Sequence, residues 1–254
     1  MNEKEYLRKL KDFWEVSDLE ELKFNRVETL YGAERTAAHF DRLVEERVGW
    51  LLGGLALPAD AEIVEIGCGI GAVLQRIAAH HPAARLQGLD ISESMIAQAR
   101  RTLAGLDRVE LRVIDGDQLS GVRDQSVDLV ICTGVFIHIL DSAVIRSYVR
   151  DAFRVLKPGG AFRFNCRYWD PEYVFGASPG ARLVKFLYRI GWYSALRADA
   201  RKVKAADFNG LHFTLADIER LLYREGFLID QLQLTLARPA RREGYLRVNG
   251  VRPA

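Results

Sequence analysis

Cysteine is scarce in this chain. Cys68, Cys132 and Cys166 stand far apart, with no C-x-x-C pair and no Cys/His spacing suited to a metal. Neither a disulfide framework nor a zinc site is expected, and the three read as buried free thiols of a reducing compartment. No apolar run reaches the ~18 residues a transmembrane helix needs. The first residues, Met1-Asn2-Glu3-Lys4-Glu5, have no apolar signal core, so a cytoplasmic protein without a membrane span is the expectation. An excess of one charge is also missing. A formal net charge of +2 over 254 residues leaves no electrostatic footprint for nucleic acid. Internal repeats and low-complexity stretches are absent. With 49% hydrophobic and 28% charged residues, the composition is that of a globular chain with a large core.

What is present is alternation. Residues 1 to about 57 read as helical, and Glu34 to Leu52 carries Phe40, Leu43, Val44, Val48 and Leu51 on one stripe at helical spacing. Gly53-Gly54 ends that helix, and Pro58-Ala59-Asp60 turns the chain into a first strand. The upstream anchors Phe13, Trp14, Phe24, Leu30 and Tyr31 either cover a sheet edge or, around Tyr31, close over a ligand. From residue 62, apolar runs at 62–66, 85–90, 109–114 and 127–132 alternate with helical patterns near 71–80, 92–104 and 141–155. That order predicts parallel strands joined by crossover helices. Leu156-Lys157-Pro158-Gly159-Gly160 is the expected turn into a fifth strand, Ala161 to Cys166. After an insertion, Thr214 caps a helix over Leu215 to Glu225 that Gly226 ends. Two strands follow, Leu228 to Leu236 and Tyr245 to Val248, joined through Arg238-Pro239-Ala240-Arg241-Arg242 with no helix between them; they should pair antiparallel. The expected class is α/β, with a Rossmann-like, seven-stranded, mostly parallel sheet and a C-terminal antiparallel hairpin. A helical cap over 1–57, a main domain over 58–254 and a helical insertion over 167–211 after strand five complete it.

The chemistry centres on Ile63-Val64-Glu65-Ile66-Gly67-Cys68-Gly69-Ile70-Gly71, a strand running into a glycine-rich turn that opens a helix. Such a turn should present free backbone N–H groups to a flat, polar ligand. Two ligands use it. Gly67, Gly69 and Ala72 satisfy G-x-G-x-x-G/A, and Asp90 ends the next strand where a ribose-binding acid belongs, which fits NAD(P). The same residues satisfy Glu-x-Gly-x-Gly-x-Gly, and that pattern has company. Gly88-Leu89-Asp90-Ile91-Ser92-Glu93-Ser94-Met95, Asp115-Gly116-Asp117-Gln118-Leu119, the Val127 to Ile139 stretch and Arg154-Val155-Leu156-Lys157-Pro158-Gly159-Gly160 follow in order. Together these resemble the class I S-adenosylmethionine-dependent methyltransferases, especially the small-molecule, ubiquinone-biosynthesis type. The resemblance is dense over about 60–166.

That resemblance implies S-adenosylmethionine as cofactor. Its ribose would lie on Asp90 and Ile91, its adenine beside Asp117 and Gln118, and its methionine end near Glu65, Gly67, Cys68, Gly69, Gly71, Thr133 and Gly134. An acid-rich crevice suits a sulfonium better than a pyrophosphate. His138, after strand four, is the first candidate general base and His212 the second, with Tyr168 and Tyr173 outside them; no metal is expected. A small-molecule acceptor is expected, with oxygen favoured over nitrogen or carbon. The insertion carries Tyr168, Trp169, Tyr173, Phe175, Phe186, Tyr188, Trp192 and Tyr193. From Arg182 to Lys204 its charges are Arg182, Lys185, Arg189, Arg197, Arg201, Lys202 and Lys204 against Asp199 alone. It reads as an amphipathic lid, as recognition of an anionic acceptor, or as shallow membrane contact with a lipid-linked one. A protein that binds the cofactor without methylating stays open as a third function, and oligomeric state is not readable.

Overall fold

The computed structural model describes residues 3–15, 37–169, 179–190, 211–238 and 243–254. Tyr31, Phe24, Leu30, Tyr173, Phe175, Trp192, Tyr193, Asp199 and the turn through Pro239 lie outside the described residues. So do the side chains of Lys185, Tyr188 and Arg189. The fold is α/β, and the chain forms two compact units, Lys4–Gly116 and Met1–Glu3 with Asp117–Ala254.

The first unit carries α1 (Glu3–Trp14), α2 (Ala37–Leu52), β1 (Glu62–Ile66), α3 (Ala72–His80), β2 (Arg85–Asp90), α4 (Glu93–Thr102) and β3 (Val109–Val113). Its strands run parallel in the order β3-β2-β1, Ile63 facing Leu86 and Leu86 facing Val109. Ile63, Val64, Ile66, Leu74, Ile77 and Leu86 are fully buried between sheet and helices. Two of its helices start for local reasons. Gly71 enters α3 at φ 83°, a left-handed conformation that costs glycine little. Ser92 caps α4, its side chain accepting from the Met95 N–H at 3.1 Å.

The second unit carries β4 (Val127–Cys132), α5 (Ser142–Val155), β5 (Leu156–Trp169), α6 (Pro179–Arg189), β6 (His212–Phe213), α7 (Leu215–Glu225), β7 (Leu228–Arg238) and β8 (Glu243–Val251). Here the order is β4-β5-β8-β7, with β4 and β5 parallel and both β8 pairings antiparallel. The C-terminal hairpin is therefore present. The two-residue β6, parallel to β5, adds a strand to the seven expected. Thr214 and Asp217 form a reciprocal capping box at α7, and Gly226 closes that helix at φ 97°. Helix α6 lies within the helical insertion expected over 167–211.

Strand β5 differs most from its sequence outline. It spans 14 residues rather than Ala161 to Cys166 and includes Lys157-Pro158-Gly159-Gly160. The turn is still there as an excursion, because the register against β4 jumps from Leu156 opposite Val127 to Ala161 opposite Leu129. Gly159 (φ 79°) forms its apex and donates to the Arg252 carbonyl at 2.9 Å. Beyond it β5 alternates. Phe162, Phe164 and Cys166 enter a core shared with Phe136 and Phe227, ring centroids 4.8–5.9 Å apart along the chain of contacts. Arg163, Asn165 and Arg167 occupy the other face. Among the described residues no helix is long and apolar enough to cross a membrane.

Candidate functional site

In the first unit the structure gathers Glu65, Gly67, Cys68, Gly69, Gly71, Asp90 and Ile91 at the C-terminal ends of β1 and β2. Parallel pairing forces this, since Glu65 lies opposite Gly88 and Ile66 opposite Leu89, so the two following turns emerge side by side. Gly88 is what lets them approach. A Cβ there would sit 2.6 Å from Leu111 Cδ2, 2.7 Å from Leu74 Cδ1 and 2.9 Å from Cys68 Sγ.

The glycine turn differs from expectation in one respect. The Gly67 and Cys68 N–H groups both donate to the Leu89 carbonyl, at 2.7 and 3.0 Å, and Gly71 N–H donates to the Cys68 carbonyl at 2.9 Å. Gly69 N–H donates to Asp90 Oδ2 at 2.8 Å. Four N–H groups that the sequence pattern offers to a ligand are thus bound inside the protein. Space remains open at Gly69, where an added Cβ would touch nothing, although φ 53° disfavours one.

Two buried acids define the charge of this half. Asp90, 8% exposed, also accepts from the Ser92 N–H through Oδ1 at 3.0 Å. Burial raises its pKa, the Ser92, Gly69 and Ile91 N–H groups work against that, and the Glu15 charge adds to the rise. Capping of α4 belongs to Ser92, which leaves Asp90 as the acid between two turns. Glu65 is 2% exposed, and its Oε2 has no hydrogen-bond partner. Burial pushes its pKa up to about 8; Arg47 pulls it down and Asp90 pushes it further up. Burial likewise raises the Cys68 thiol, with Asp90 and Glu65 adding to the effect, so this sulfur is a packing group rather than a nucleophile.

In the second unit the segment after β4 is held from β5. Gly134 (φ 75°) donates its N–H to Asn165 Oδ1 at 2.8 Å, and Arg167 Nε donates to the Ile137 carbonyl at 3.1 Å. His138 N–H closes a turn onto the Val135 carbonyl at 2.9 Å, with the imidazole half-buried. Leu211 N–H donates to the Ile139 carbonyl at 3.0 Å, and His212 pairs in register with Arg167. His138 and His212 are therefore each one residue from a shared backbone hydrogen bond. Thr133 is 8% exposed, and its Oγ1 lacks a partner.

Asp117 and Gln118 lie on a turn fastened to α5. Leu119 N–H donates to Asp151 Oδ2 at 2.6 Å. Arg154 grips Asp151 through Nε and Nη2 and reaches Asp124 and the Val122 carbonyl, which raises its own pKa. Asp124 thus serves the arginine. Gln118 is exposed and Asp117 half-buried. Sequence reasoning missed Asn165, Arg167, Asp151 and Arg154. The polar positions alternating with apolar ones from Phe162 to Tyr168 were the available signal for the first two.

Comparison with known proteins follows the same outline. Residues 63–160 match the family described as Methyltransferase domain. An S-adenosyl-L-methionine-dependent Diels-Alderase of Talaromyces variabilis is 34% identical over 125 residues, covering 48% of this chain and 40% of that protein. A ubiquinone biosynthesis O-methyltransferase of Pseudomonas fluorescens is 29% identical over 146 residues, 56% of this chain and 60% of its own. The chain thus matches about half the length of these curated relatives. Geranyl diphosphate C-methyltransferase of Streptomyces coelicolor superposes with a TM-score of 0.66 over 97% of this chain and 98% of its own, at 14% identity.

Proposed function

We propose that this chain, whose residues 63–160 match the family described as Methyltransferase domain, is a class I S-adenosylmethionine-dependent methyltransferase that methylates a small-molecule acceptor, oxygen preferred over nitrogen or carbon. One observation carries the cofactor reading. The glycine turn spends the N–H groups of Gly67, Cys68, Gly69 and Gly71 internally, while a buried carboxyl oxygen of Glu65 is left without a partner. A pyrophosphate needs the first and gains nothing from the second. A cationic, phosphate-free ligand has the opposite requirements.

S-adenosylmethionine, when bound, supplies a methyl group on a sulfonium, open to in-line attack. Glu65 would hold its ammonium, and Asp90, with lone pairs left beyond its two backbone bonds, would accept from the ribose hydroxyls. Asp117 and Gln118 are proposed for the adenine from their place in the sequence motif, and Thr133 and Gly134 for the methionine end. His138 is proposed to take the proton of the acceptor hydroxyl as the new bond forms, with His212 second. The cap over 1–57 and the insertion over 167–211 are proposed to shape the acceptor pocket. An anionic or lipid-linked acceptor is supported by α6 and the residue after it, where Leu183, Phe186 and Ile190 are 58%, 56% and 52% exposed beside an exposed Arg182.

Calorimetry with S-adenosylhomocysteine and with NAD(H) tests the proposal. Binding of the first, abolished by Asp90→Ala, is expected; binding of NAD(H) alone refutes it. The Talaromyces relative's name favours a second reading, catalysis of a cyclisation by a cofactor-bound protein. Turnover of an acceptor without release of S-adenosylhomocysteine would select that reading.

A further inference from the structure

The end of α1 is tied to the Asp90 turn by contacts from outside the stretch 63–160 that matches the family. Helix α4 begins three residues after Asp90, and its first three N–H groups have no partners inside the helix. Ser92 Oγ takes the Met95 N–H. The other two go to a residue 78 and 79 positions away: Glu15 Oε1 accepts from Glu93 N–H at 2.8 Å, and Oε2 from Ser94 N–H at 3.1 Å. Ser92 joins the two networks. Its N–H donates to Asp90 Oδ1 and its hydroxyl to the Trp14 carbonyl at 3.2 Å. Trp14 packs against the cluster formed by Ile70 of the glycine turn and Met95 of α4. Leu7, two turns earlier, lies 3.3 Å from where a Cβ on Gly116 would fall.

One short helix therefore touches the glycine turn, the Asp90 turn and the end of the segment after β3. A bidentate carboxylate at its end neutralises the positive pole of α4. Burial works against ionising Glu15, but the Ser94 hydroxyl and the Glu93 and Ser94 N–H groups outweigh it and hold the pKa low, so Glu15 is charged at neutral pH. Held there, α4 offers no open N-terminus for a phosphate next to the ribose acid.

We propose that Glu15 is a positioning residue for Asp90, and that docking of α1 through Glu15 and cofactor binding are thermodynamically coupled. The inference rests on the S-adenosylmethionine reading above. If it holds, ligand bound at Asp90 favours the docked α1, and loss of the docked contact lowers affinity for the ligand by the same factor.

The test is calorimetry with S-adenosylhomocysteine, combined with hydrogen exchange of residues 5–14, on wild type, Glu15→Ala, Glu15→Gln and Lys11→Ala. Losing the two capping bonds should weaken binding roughly 5- to 30-fold in Glu15→Ala, the scale of a lost helix cap. Glu15→Gln keeps one acceptor oxygen and should fall between wild type and alanine. Lys11→Ala removes only the half-exposed ion pair to Glu93 and should change affinity less than about twofold. Ligand should slow exchange in α1 of the wild type and not in Glu15→Ala. A merely structural cap would lower the melting temperature without making α1 protection respond to ligand. Unchanged affinity in both Glu15 variants, or α1 exchange indifferent to ligand in the wild type, overturns the proposal. A wild type that binds no S-adenosylhomocysteine overturns the cofactor reading itself, and this inference with it.

Discussion

Glu65→Gln should change how the stability of this protein depends on pH. The carboxyl sits in β1 with one oxygen unpartnered and its pKa pushed from 4.5 to about 8, chiefly by burial. The folded pKa lies above the unfolded one. Between those values the unfolded chain has released this proton and the folded chain still holds it. The contribution to stability is therefore complete below about pH 4.5 and declines through the window up to about 8. The slope is ~1.4 kcal/mol per pH unit, and the full interval amounts to about 5 kcal/mol. Between pH 5.5 and 7.5 the share of this one group is about 2.5 kcal/mol. Glutamine has the same shape and nothing to ionise, so the variant should gain on the wild type by that amount across those two units. Urea unfolding of both proteins at pH 5.5, 6.5 and 7.5 gives the comparison. Parallel profiles would refute the reasoning, because they would mean that Glu65 titrates alike in both states. Ligand provides a second reading of the same carboxyl. A cofactor ammonium beside Glu65 favours its ionised form, so binding at pH 7 should release close to one proton. Calorimetry in buffers of different ionisation enthalpy counts it, and no proton released by wild type would separate Glu65 from the ligand.

His138→Ala should lower kcat by roughly 10²- to 10⁴-fold with little change in cofactor affinity, as loss of a general base does; steady-state rates near wild type would remove it from the reaction. Gly88→Ala should cost about 1–3 kcal/mol by overpacking Leu111, Leu74 and Cys68, read from a shifted urea midpoint with unchanged slope. Asn165→Leu strands the Gly134 N–H and should cost about 1–3 kcal/mol while lowering kcat more than it raises KM. A KM-only effect would mean that the segment after β4 does not position the reacting groups.

Much of this fold could be read locally. The glycine turn, Asp90, the Ser92 and Thr214 caps and the four short strands from 62 to 132 each have their cause within a few residues, and they appear where the pattern puts them. What could not be read was settled by distant partners. Strand β5 runs past Cys166 because β8 supplies hydrogen-bond partners as far as Trp169, a pairing between residues 74 or more positions apart. Glu15 serves α4 across 78 positions, and no spacing rule announces that. The turn's N–H groups looked available because sequence shows donors; the acceptor that takes two of them, the Leu89 carbonyl, is backbone and identical in every residue type. Asn165 and Arg167 were visible as polar interruptions, but their targets, the Gly134 N–H and the Ile137 carbonyl, depend on which strand lies next to β5.

The nine-residue ladder between β5 and β8 also bears on how such a protein can diversify. From Ala161 to Trp169 every β5 residue has a β8 partner, and Arg167 and Tyr168 have β6 partners as well. The segment after Trp169 thus leaves from a root secured on both edges, and it rejoins at Leu211, whose N–H is bonded to Ile139. Two anchored ends make an exchangeable cassette. Sequence between them can be lengthened, recharged or swapped while the Gly134 and Ile137 anchors stay put, since Asn165 and Arg167, which make those hydrogen bonds, lie on β5 outside the cassette. Under the proposed function, selection for a new acceptor would then act on residues other than those that hold Gly134 and Ile137 in place.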